Sequence, residues 1–289
     1  MHHEYWGLRE SPFGGNLDLR YFFQSVNADE ALARLHFLPE QHRRLGLLLG
    51  SSGVGKSQLL QLFGKQLLRD GRHVAQIPTL GVDAREFLVL LATRFGLCPS
   101  ASASSAVLWR QLDDHLVSNR YQRISTIVLL DDADEAEPAV LSQITRLVQS
   151  DPSSEARLTV VLSAREDRVG HLGNRLLELA ELRIDLEPWQ ASDTAGYLRT
   201  AISLAGRRTD VFQPDALARI HELSEGVPRR VKQLAELSLL AAAGQELRTI
   251  DGETVEAAYF ELGIIHGAGP ANGTEIELTL SSAAKAQPT

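Results

Sequence analysis

The sequence predicts an α/β protein with a parallel sheet, followed by a small all-helical domain. Short aliphatic runs alternate with stretches of helical periodicity, which is the pattern of parallel strands joined by helices. The run "RLGLLLG" is apolar without interruption, as expected for a strand buried on both faces. After the segment "DLEPW", only helical periodicities remain. We therefore expect an α/β domain over residues 1–189, a helical domain over 190–265 and a disordered tail over 266–289.

The individual elements follow from the same periodicities. Besides the run ending at Gly50, the predicted strands are His73–Ile77, Ile127–Leu130, Leu158–Leu162 and Leu182–Leu186. The predicted helices are Asp83–Phe95, Ala106–Ser118 and Pro138–Gln149 between the strands, and Ala195–Leu204, Pro214–Ser224, Pro228–Ala243 and Gly252–Phe260 after them.

The composition excludes several classes of protein. The net charge is −8 and the pI about 5.6, so the chain as a whole has no positive field that would attract nucleic acid. The segments "QHRRLG" and "AGRRTD" are nevertheless local basic patches. No apolar run approaches the ~20 residues that span a bilayer, and the first residues lack the apolar core of a signal peptide. We expect a cytoplasmic protein without a membrane span. Cys98 is the single cysteine, and its apolar neighbours predict burial.

The turn after the first strand carries a complete G-x-x-x-x-G-K-S motif, the Walker A pattern. Its glycines let successive N–H groups converge on an anion, and the following helix adds the positive end of its dipole. Lys56 is then able to reach the β- and γ-phosphates of a nucleotide, and the Ser57 hydroxyl to ligate Mg²⁺. The alternative, an accidental glycine turn, fits poorly between a strand and a helix. The predicted nucleotide-binding residues are Gly50, Ser51, Ser52, Gly53, Val54, Gly55, Lys56, Ser57 and Gln58.

A second half of the site is predicted where "TIVLLDDADE" leaves a buried strand. Asp131 is placed to hold Mg²⁺, usually through water, and Asp132 is the candidate base that orients the attacking water. The alternative is an ordinary acidic turn. Aspartate is one methylene shorter than the glutamate common at this position, and a misplacement of about 1 Å costs on the order of a hundredfold in rate. Nucleotide binding is therefore better supported than turnover.

A P-loop α/β domain followed by a helical lid resembles an AAA+ ATPase. The segments "YWGLRESPF" and "EALARL" resemble the opening of the ExeA/GspA-type ATPases of general secretion. The stretch from "LEPWQASDTAGYLRTAISLAGRR" to "ELSEGVPRRVKQLAELSLLAA" resembles the lid of that family. The resemblance covers roughly residues 5 to 260. It implies a three-layer P-loop NTPase domain, an AAA+ lid, ATP and Mg²⁺ as cofactors, and a homo-oligomer.

The resemblance also assigns an arginine of the lid. In that family the arginine after G-x-P contacts the nucleotide as sensor 2, and here it is Arg229. Pro228 suits the first turn of a helix. Adjacent helical residues point about 100° apart, so Arg229 and Arg230 cannot both face the phosphates. The alternative is a solvated basic pair at a helix start, where the helix dipole disfavours positive charge.

Other positions stay open between a functional and a structural role. Ser163 and Arg165 are both candidates for the polar sensor at the end of the fourth strand, where the family has a different pair, and either is equally able to end a strand. Arg175 matches a family arginine that reaches the neighbouring subunit's nucleotide, with an ordinary exposed arginine as the alternative. The aromatic residues Tyr5, Trp6 and Phe13 are candidates to pack by the adenine, with core packing as the alternative.

The resemblance implies an AAA+ ATPase that binds and hydrolyses ATP with Mg²⁺ to drive conformational change or assembly of a partner complex. One alternative is a DNA-associated regulator similar to the TnsC/TniB-type transposition ATPases, which the charge of −8 disfavours. Another is a non-hydrolysing nucleotide switch, which is favoured only by the aspartate at position 132. The sequence identifies neither the partner protein nor the oligomer size.

Overall fold

The computed structural model describes residues 2–14, 19–151, 153 and 155–266. A five-stranded sheet forms the centre of the chain, with strand order β2-β3-β4-β1-β5 and only parallel pairings. The strands are β1 Leu45–Gly50, β2 His73–Pro78, β3 Thr126–Asp131, β4 Leu158–Arg165 and β5 Leu182–Asp185. The predicted parallel α/β sheet is confirmed.

Helices connect these strands and then continue alone after β5. The α-helices are α1 His2–Tyr5, α2 Val26–Glu40, α3 Lys56–Arg69, α4 Ala84–Arg94, α5 Ser105–Tyr121, α6 Pro138–Val148, α7 Asn174–Leu179, α8 Ala191–Leu204, α9 Pro214–Ser224, α10 Pro228–Gly244 and α11 Gly252–His266. Within the described residues, no strand follows β5.

The strand register places the glycine loop and the acidic turn at the carboxyl edge of the sheet. In the β1–β4 pair, Gly50 lies opposite Arg165. In the β2–β3 pair, Pro78 lies opposite Asp131. Because all strands run in the same direction, the phosphate loop after β1 and the acidic turn after β3 emerge at one edge. Open α/β sheets bind ligands at this edge.

Alternation of side chains along β1 produces the three layers. Leu45, Leu47 and Leu49 face one side of the sheet and pack with residues from α4, α5 and α6. Leu48 faces the other side and packs with residues from α2 and α3. A strand between two helical layers buries both faces, which explains why "LGLLLG" has no polar position. The predicted three-layer architecture is confirmed.

A third apolar cluster lies among the helices after β5, and the first residues of the chain contribute to it. Trp6, Leu8 and Phe13 pack with residues from α8 to α11. The indole Nε1 of Trp6 donates to the carbonyl oxygen of Leu239 at 3.0 Å. The N-terminal segment therefore packs on the helical unit, although it is separated from that unit in sequence by the whole sheet.

Two sequence expectations need comment. The predicted burial of Cys98 is wrong: the residue is exposed. Gly96 (φ +77°) directs the chain away from the end of α4, so that Cys98 falls in a surface loop. The predicted disordered tail lies outside the described residues apart from His266, the last residue of α11. Among the described residues, no helix has both the length and the apolar character that a bilayer crossing needs.

A buried polar cluster joins α5 to the edge strand β2. The side-chain amide of Asn119 donates to Nε2 of His115 at 3.0 Å and to Oγ1 of Thr126 at 2.9 Å. The ring of His115 stacks on His73, with centroids 5.7 Å apart. Burial, with a smaller contribution from His73, lowers the pKa of His115 from its usual 6.5. The folded state therefore favours neutral His115.

This cluster predicts a loss of stability in mild acid. Below pH 6.5 the unfolded chain binds a proton at His115 more readily than the folded chain, so stability falls as the pH drops through that value. We expect the melting temperature of the wild type to fall more between pH 8 and pH 5.5 than that of His115→Gln, whose amide still accepts from Asn119. The exposed His171→Gln is the matched control. Equal acid sensitivity of wild type and His115→Gln contradicts the assignment.

Candidate functional site

The turn between β1 and α3 leaves no room for a side chain at two of its glycines. Gly53 has φ +81°, and a Cβ placed on it would lie 2.8 Å from the Cβ of Arg229. A Cβ on Gly50 would lie 2.5 Å from the carbonyl oxygen of Leu186. Small residues therefore let the loop fit between the lid and the chain leaving β5. The loop leads directly into α3, whose N-terminus provides free N–H groups and a positive dipole end.

Lys56 lies at the first position of α3 and turns back over the loop. Its Nζ donates to the carbonyl oxygens of Gly50 at 2.9 Å and Ser51 at 3.1 Å. Burial lowers the pKa of this ammonium, and the carboxylates of Asp132, Asp134 and Asp131 oppose that shift. The side chain is thus a mostly buried cation held by carbonyl dipoles and surrounded by acidic groups.

Ser163 of β4 links the two acidic residues that follow β3. Its hydroxyl donates to Oδ1 of Asp131 and accepts from the backbone N–H of Asp132 at 3.0 Å. Thr79, after β2, fixes the same turn from the other side, because its N–H donates to the carbonyl of Asp131 at 3.0 Å. Ser163 is fully buried. Of the two sensor candidates, Ser163 is therefore the one that contacts both acids.

Asp132 has an uncommon backbone conformation, and its surroundings disfavour the charged form of its side chain. Its φ of +55° lies in the left-handed region, where a residue other than glycine costs of order 1–3 kcal/mol. Burial raises the pKa of the carboxyl, and the negative charges of Asp131 and Asp134 raise it further, whereas Lys56 lowers it. The carboxylate thus lies in a negative, partly desolvated position that a cation or a hydrogen-bond donor would stabilise.

Asp134 is a component of the site that the sequence reasoning missed. The residue is buried, with 4% of its surface exposed. One oxygen, Oδ1, accepts from the N–H of Arg165 at 3.2 Å; the other, Oδ2, is buried without a partner among the described residues. The guanidinium of Arg165 instead pairs with Asp167 at 2.6 Å. In the sequence, Asp134 is visible as the third carboxylate of "DDADE". The direction of its side chain depends on the turn after Asp132, which the sequence does not show.

The first turn of α10 lies directly on the phosphate loop. The N–H of Arg229 donates to the carbonyl oxygen of Gly53 at 3.2 Å. The side chain of Arg229 extends into the space above the loop. The neighbouring Arg230 points elsewhere and pairs with Glu225 at 2.6 Å. This divergence agrees with the angle expected between adjacent helical residues.

These groups surround a cleft of about 640 Å³, a size usual for small-molecule sites. Loop and acidic residues line one side of the cleft and lid residues the other. The lining residues are Phe13, Gly14, Ser52, Gly53, Gly55, Lys56, Ser57, Gln58, Leu80, Asp132, Asp134, Glu135, Arg165, Pro228, Arg229, Lys232 and Gln233. Three of the four predicted catalytic residues therefore meet here: Lys56, Asp132 and Arg229.

The fourth predicted residue, Arg175, lies outside this cleft. It occupies α7, where its guanidinium is largely exposed and approaches Glu178 at 3.8 Å. Arg175 is thus not among the described residues that line the cleft.

The aromatic residues near the loop differ from those expected. Trp6 is buried in the helical cluster, which corresponds to the core-packing alternative, and the Tyr5 hydroxyl donates to Leu247. Of the three candidates, only Phe13 lines the cleft. A second, narrow cavity beside the loop is instead lined by four other aromatic residues, together with residues of the loop and lid. Those aromatic residues are Tyr21, Phe22, Phe23 and Trp189.

The bridging hydroxyl of Ser163 gives a direct test of the acidic turn. Ser163→Ala removes the partner of the Asp132 N–H and of the Asp131 carboxylate, and each lost buried hydrogen bond costs about 1–3 kcal/mol. We expect the free energy of unfolding to fall by at least that amount in urea titrations. Ser142→Ala, on the exposed face of α6, should change it by less than about 0.5 kcal/mol. Equal stability of the two variants refutes the bridge.

Comparisons with known proteins agree with this geometry. Residues 39–170 match the family model described as an AAA domain. The chain is 29% identical over 269 residues to General secretion pathway protein A of Aeromonas hydrophila, a match that covers 91% of this chain and 49% of that protein. The chain thus spans about half the length of this curated relative.

Solved structures share the fold at low sequence identity. Cdc6p from Pyrobaculum aerophilum superposes with a TM-score of 0.68 at 19% identity, over 87% of this chain and 70% of that one. The Aeropyrum pernix ORC2 protein superposes with a TM-score of 0.63 at 17% identity, over 85% of this chain and 71% of that one. The Thermotoga maritima RuvB branch migration motor superposes with a TM-score of 0.60 at 15% identity, over 90% of this chain and 76% of that one. The chain therefore carries an AAA domain in a P-loop α/β fold with a helical lid, and its resemblance to the general secretion pathway protein A type of AAA ATPase is confirmed.

Proposed function

We propose that this chain binds ATP with Mg²⁺ in the cleft between the sheet and the helical lid, and hydrolyses it to drive conformational change or assembly of a partner complex. One observation carries the proposal: Lys56, Asp132 and Arg229, from three separate parts of the chain, line one cleft at the carboxyl edge of the sheet. In this proposal residues 1–189 form the nucleotide-binding domain and residues 190–265 the lid.

The phosphate loop supplies the binding energy for the triphosphate. The N–H groups at the start of α3 point toward a bound anion, and the helix dipole favours its charge. Lys56 donates to the β- and γ-phosphates in place of its present bonds to the loop carbonyls. This exchange moves a mostly buried cation from neutral acceptors to anionic ones, which adds the attraction of opposite charges to the hydrogen bonds.

The residues present fit a magnesium ion. The hydroxyl of Ser57 lines the cleft, and Asp131 lies at the end of β3, where Ser163 orients its carboxylate. Hydroxyl and carboxylate oxygens are the ligands that Mg²⁺ prefers. Bound Mg²⁺ would neutralise charge on the phosphate oxygens and lower the repulsion in the negative turn around Asp132. Ser57 and Asp131 are therefore the proposed metal ligands.

Asp132 is the proposed base that orients the attacking water toward the γ-phosphate. The backbone N–H bond to Ser163 fixes its position relative to β4. A second candidate function, a non-hydrolysing nucleotide switch, is favoured by the same residue, because aspartate reaches less far than glutamate. Turnover measurements with and without double-stranded DNA separate these two functions and also test the DNA-associated alternative.

The lid connects nucleotide binding to movement. Arg229 bonds to Gly53 through its backbone and lines the cleft with its side chain. A phosphate held by the guanidinium would pull α10 toward the loop, and the rest of the lid would follow because α9, α10 and α11 share one apolar core. Arg229 is the proposed sensor of the bound nucleotide, and Ser163 is the proposed polar sensor on β4.

Substitutions of Lys56 and Asp132 test the proposal at two separate steps. Lys56→Ala removes a charge-assisted bond to phosphate, so we expect ATP affinity to fall about 100-fold or more. Asp132→Asn keeps the size of the side chain but loses its basicity, so we expect ATP to bind while the turnover number falls about 100-fold. Calorimetry measures the affinities, and phosphate release measures turnover.

The exposed Lys65→Ala on the same helix is the matched control for Lys56→Ala and should bind ATP normally. Unchanged affinity in Lys56→Ala would refute the phosphate-loop assignment. Wild-type turnover in Asp132→Asn would remove Asp132 as the base. ATP binding without any turnover in the wild type would leave the nucleotide switch as the function.

Arg175 leads to a prediction about assembly. A homo-oligomer would bring its exposed guanidinium to the γ-phosphate of a neighbour, where a positioned positive charge contributes a factor of about 10³–10⁵ in related phosphoryl transfers. We expect specific ATPase activity to rise with protein concentration, and Arg175→Ala to abolish this rise while ATP affinity changes less than about twofold.

A mixture of inactive variants tests whether Arg175 acts between subunits. Lys56→Ala lacks tight nucleotide binding but retains Arg175, whereas Arg175→Ala has the reverse defect. Restored activity on mixing indicates action between subunits. Concentration-independent wild-type activity without any rescue means that Arg175 is an ordinary surface residue and the active unit is a monomer.

A further inference from the structure

Lys232 of α10 lies where the two cavities beside the phosphate loop meet. It lines the open cleft that holds Lys56, Asp132 and Arg229, and it also lines the narrow aromatic cavity formed by residues such as Phe23 and Trp189. Three other residues of the described part of the chain line both cavities: Gly55, Gln58 and Pro228. The junction is therefore formed by the start of α3 on one side and the start of α10 on the other.

Among the residues that the structure describes, the ammonium of Lys232 has no anionic partner. No carboxylate among the described residues lies within ion-pair distance of it, and its recorded contact is the ring of Tyr197, with Nζ 5.7 Å from the centroid. The side chain is half-buried. Desolvation lowers the pKa of Lys232. A partly buried cation without a counter-ion is unfavourable by itself, and an anion in the adjacent cleft would stabilise it.

The helical spacing explains why this cation faces the cleft. Lys232 follows Arg229 by three residues, so both side chains project from one face of α10. Both line the cleft, whereas Arg230 points away and pairs with Glu225. Arg229 lies beside Gly53, in the middle of the loop. Lys232 lines the aromatic cavity together with Gly55, at the end of the loop that leads into α3.

We propose that Lys232 is a second phosphate-binding cation of the lid, which contacts the phosphates nearest the base of a bound nucleoside triphosphate, opposite the N-terminus of α3. This inference rests on the proposed function, because it assumes that a nucleotide spans the two cavities. The loop receives the outer phosphates, the aromatic cavity, whose free volume is about 20 Å³, would have to widen to receive the base, and Lys232 lies between the two parts. Its present contact with Tyr197 is exchanged for the phosphate when the nucleotide binds.

Three substitutions separate charge from packing. Lys232→Met keeps an unbranched apolar chain on the Tyr197 ring but removes the charge, and Lys232→Arg keeps the charge. Arg230→Gln is the matched control on the same turn of α10, because this exposed arginine does not line the cleft. Titration calorimetry with Mg²⁺ measures the affinities for ATP, ADP and tripolyphosphate, and melting temperatures report on folding.

We expect Lys232→Met to lose about tenfold in affinity for all three probes, while Lys232→Arg stays within about threefold of the wild type and Arg230→Gln is unchanged. The melting temperature of Lys232→Met should remain near that of the wild type. ATP affinity equal to the wild type in Lys232→Met overturns the inference. A loss for ATP and tripolyphosphate but not for ADP would place the ammonium at the γ-phosphate, and a loss for ATP and ADP without tripolyphosphate would place it at the base or ribose; either result also overturns the inference.

The same measurements distinguish failure of this inference from failure of the proposed function. If the wild type binds ATP and Lys56→Ala does not, the phosphate site stands whatever the result at Lys232. If the wild type binds none of the three probes, the proposed function and the inference fail together.

Discussion

The contact between the phosphate loop and the first turn of α10 is the constraint on which the site depends. Gly53 has a positive φ and no side chain, so the backbone N–H of Arg229 reaches its carbonyl oxygen. Any larger residue would meet the Cβ of Arg229. Just before α10, the carbonyl of Gly226 accepts from the N–H of Trp189 at 2.9 Å, which ties the lid to the segment leaving β5. These two backbone contacts define the position of the basic face of α10 over the loop.

The hydroxyl groups of Ser163 and Thr79 organise the acidic side of the cleft. Ser163 bonds to both Asp131 and the backbone of Asp132, so β4 fixes the turn that follows β3. The turn requires a left-handed residue at Asp132 and buries Asp134 with one oxygen unpartnered. Backbone strain and an unpartnered carboxylate oxygen occur together, and such features tend to accumulate at functional sites. The cleft is thus built from groups that are less stable here than they would be in water, and a charged ligand would compensate for them.

The separation of the apolar clusters bears on how the two units move. Two clusters cover the faces of the sheet, and the third joins α8 to α11 with the N-terminal segment. Trp6 and Phe13 lie in the third cluster, so the N-terminal segment would move with the lid. Because Phe13 also lines the cleft, a change in lid position would alter the shape of the ligand site directly. A partner bound to the lid would thereby influence the nucleotide, and the reverse would hold as well.

The sequence by itself determined the parallel sheet, the glycine loop, the acidic pair and the helical region after β5, because each depends on local periodicity or on a short motif. The burial of Trp6, the exposure of Cys98, the direction of Asp134 and the position of Lys232 between two cavities were decided only by the tertiary structure. These features depend on how distant segments approach one another: Trp6 meets Leu239 across most of the chain, and Arg229 at the start of α10 meets Gly53 of the loop. Local patterns specify which element forms, but a contact between elements depends on packing that no short stretch of sequence contains.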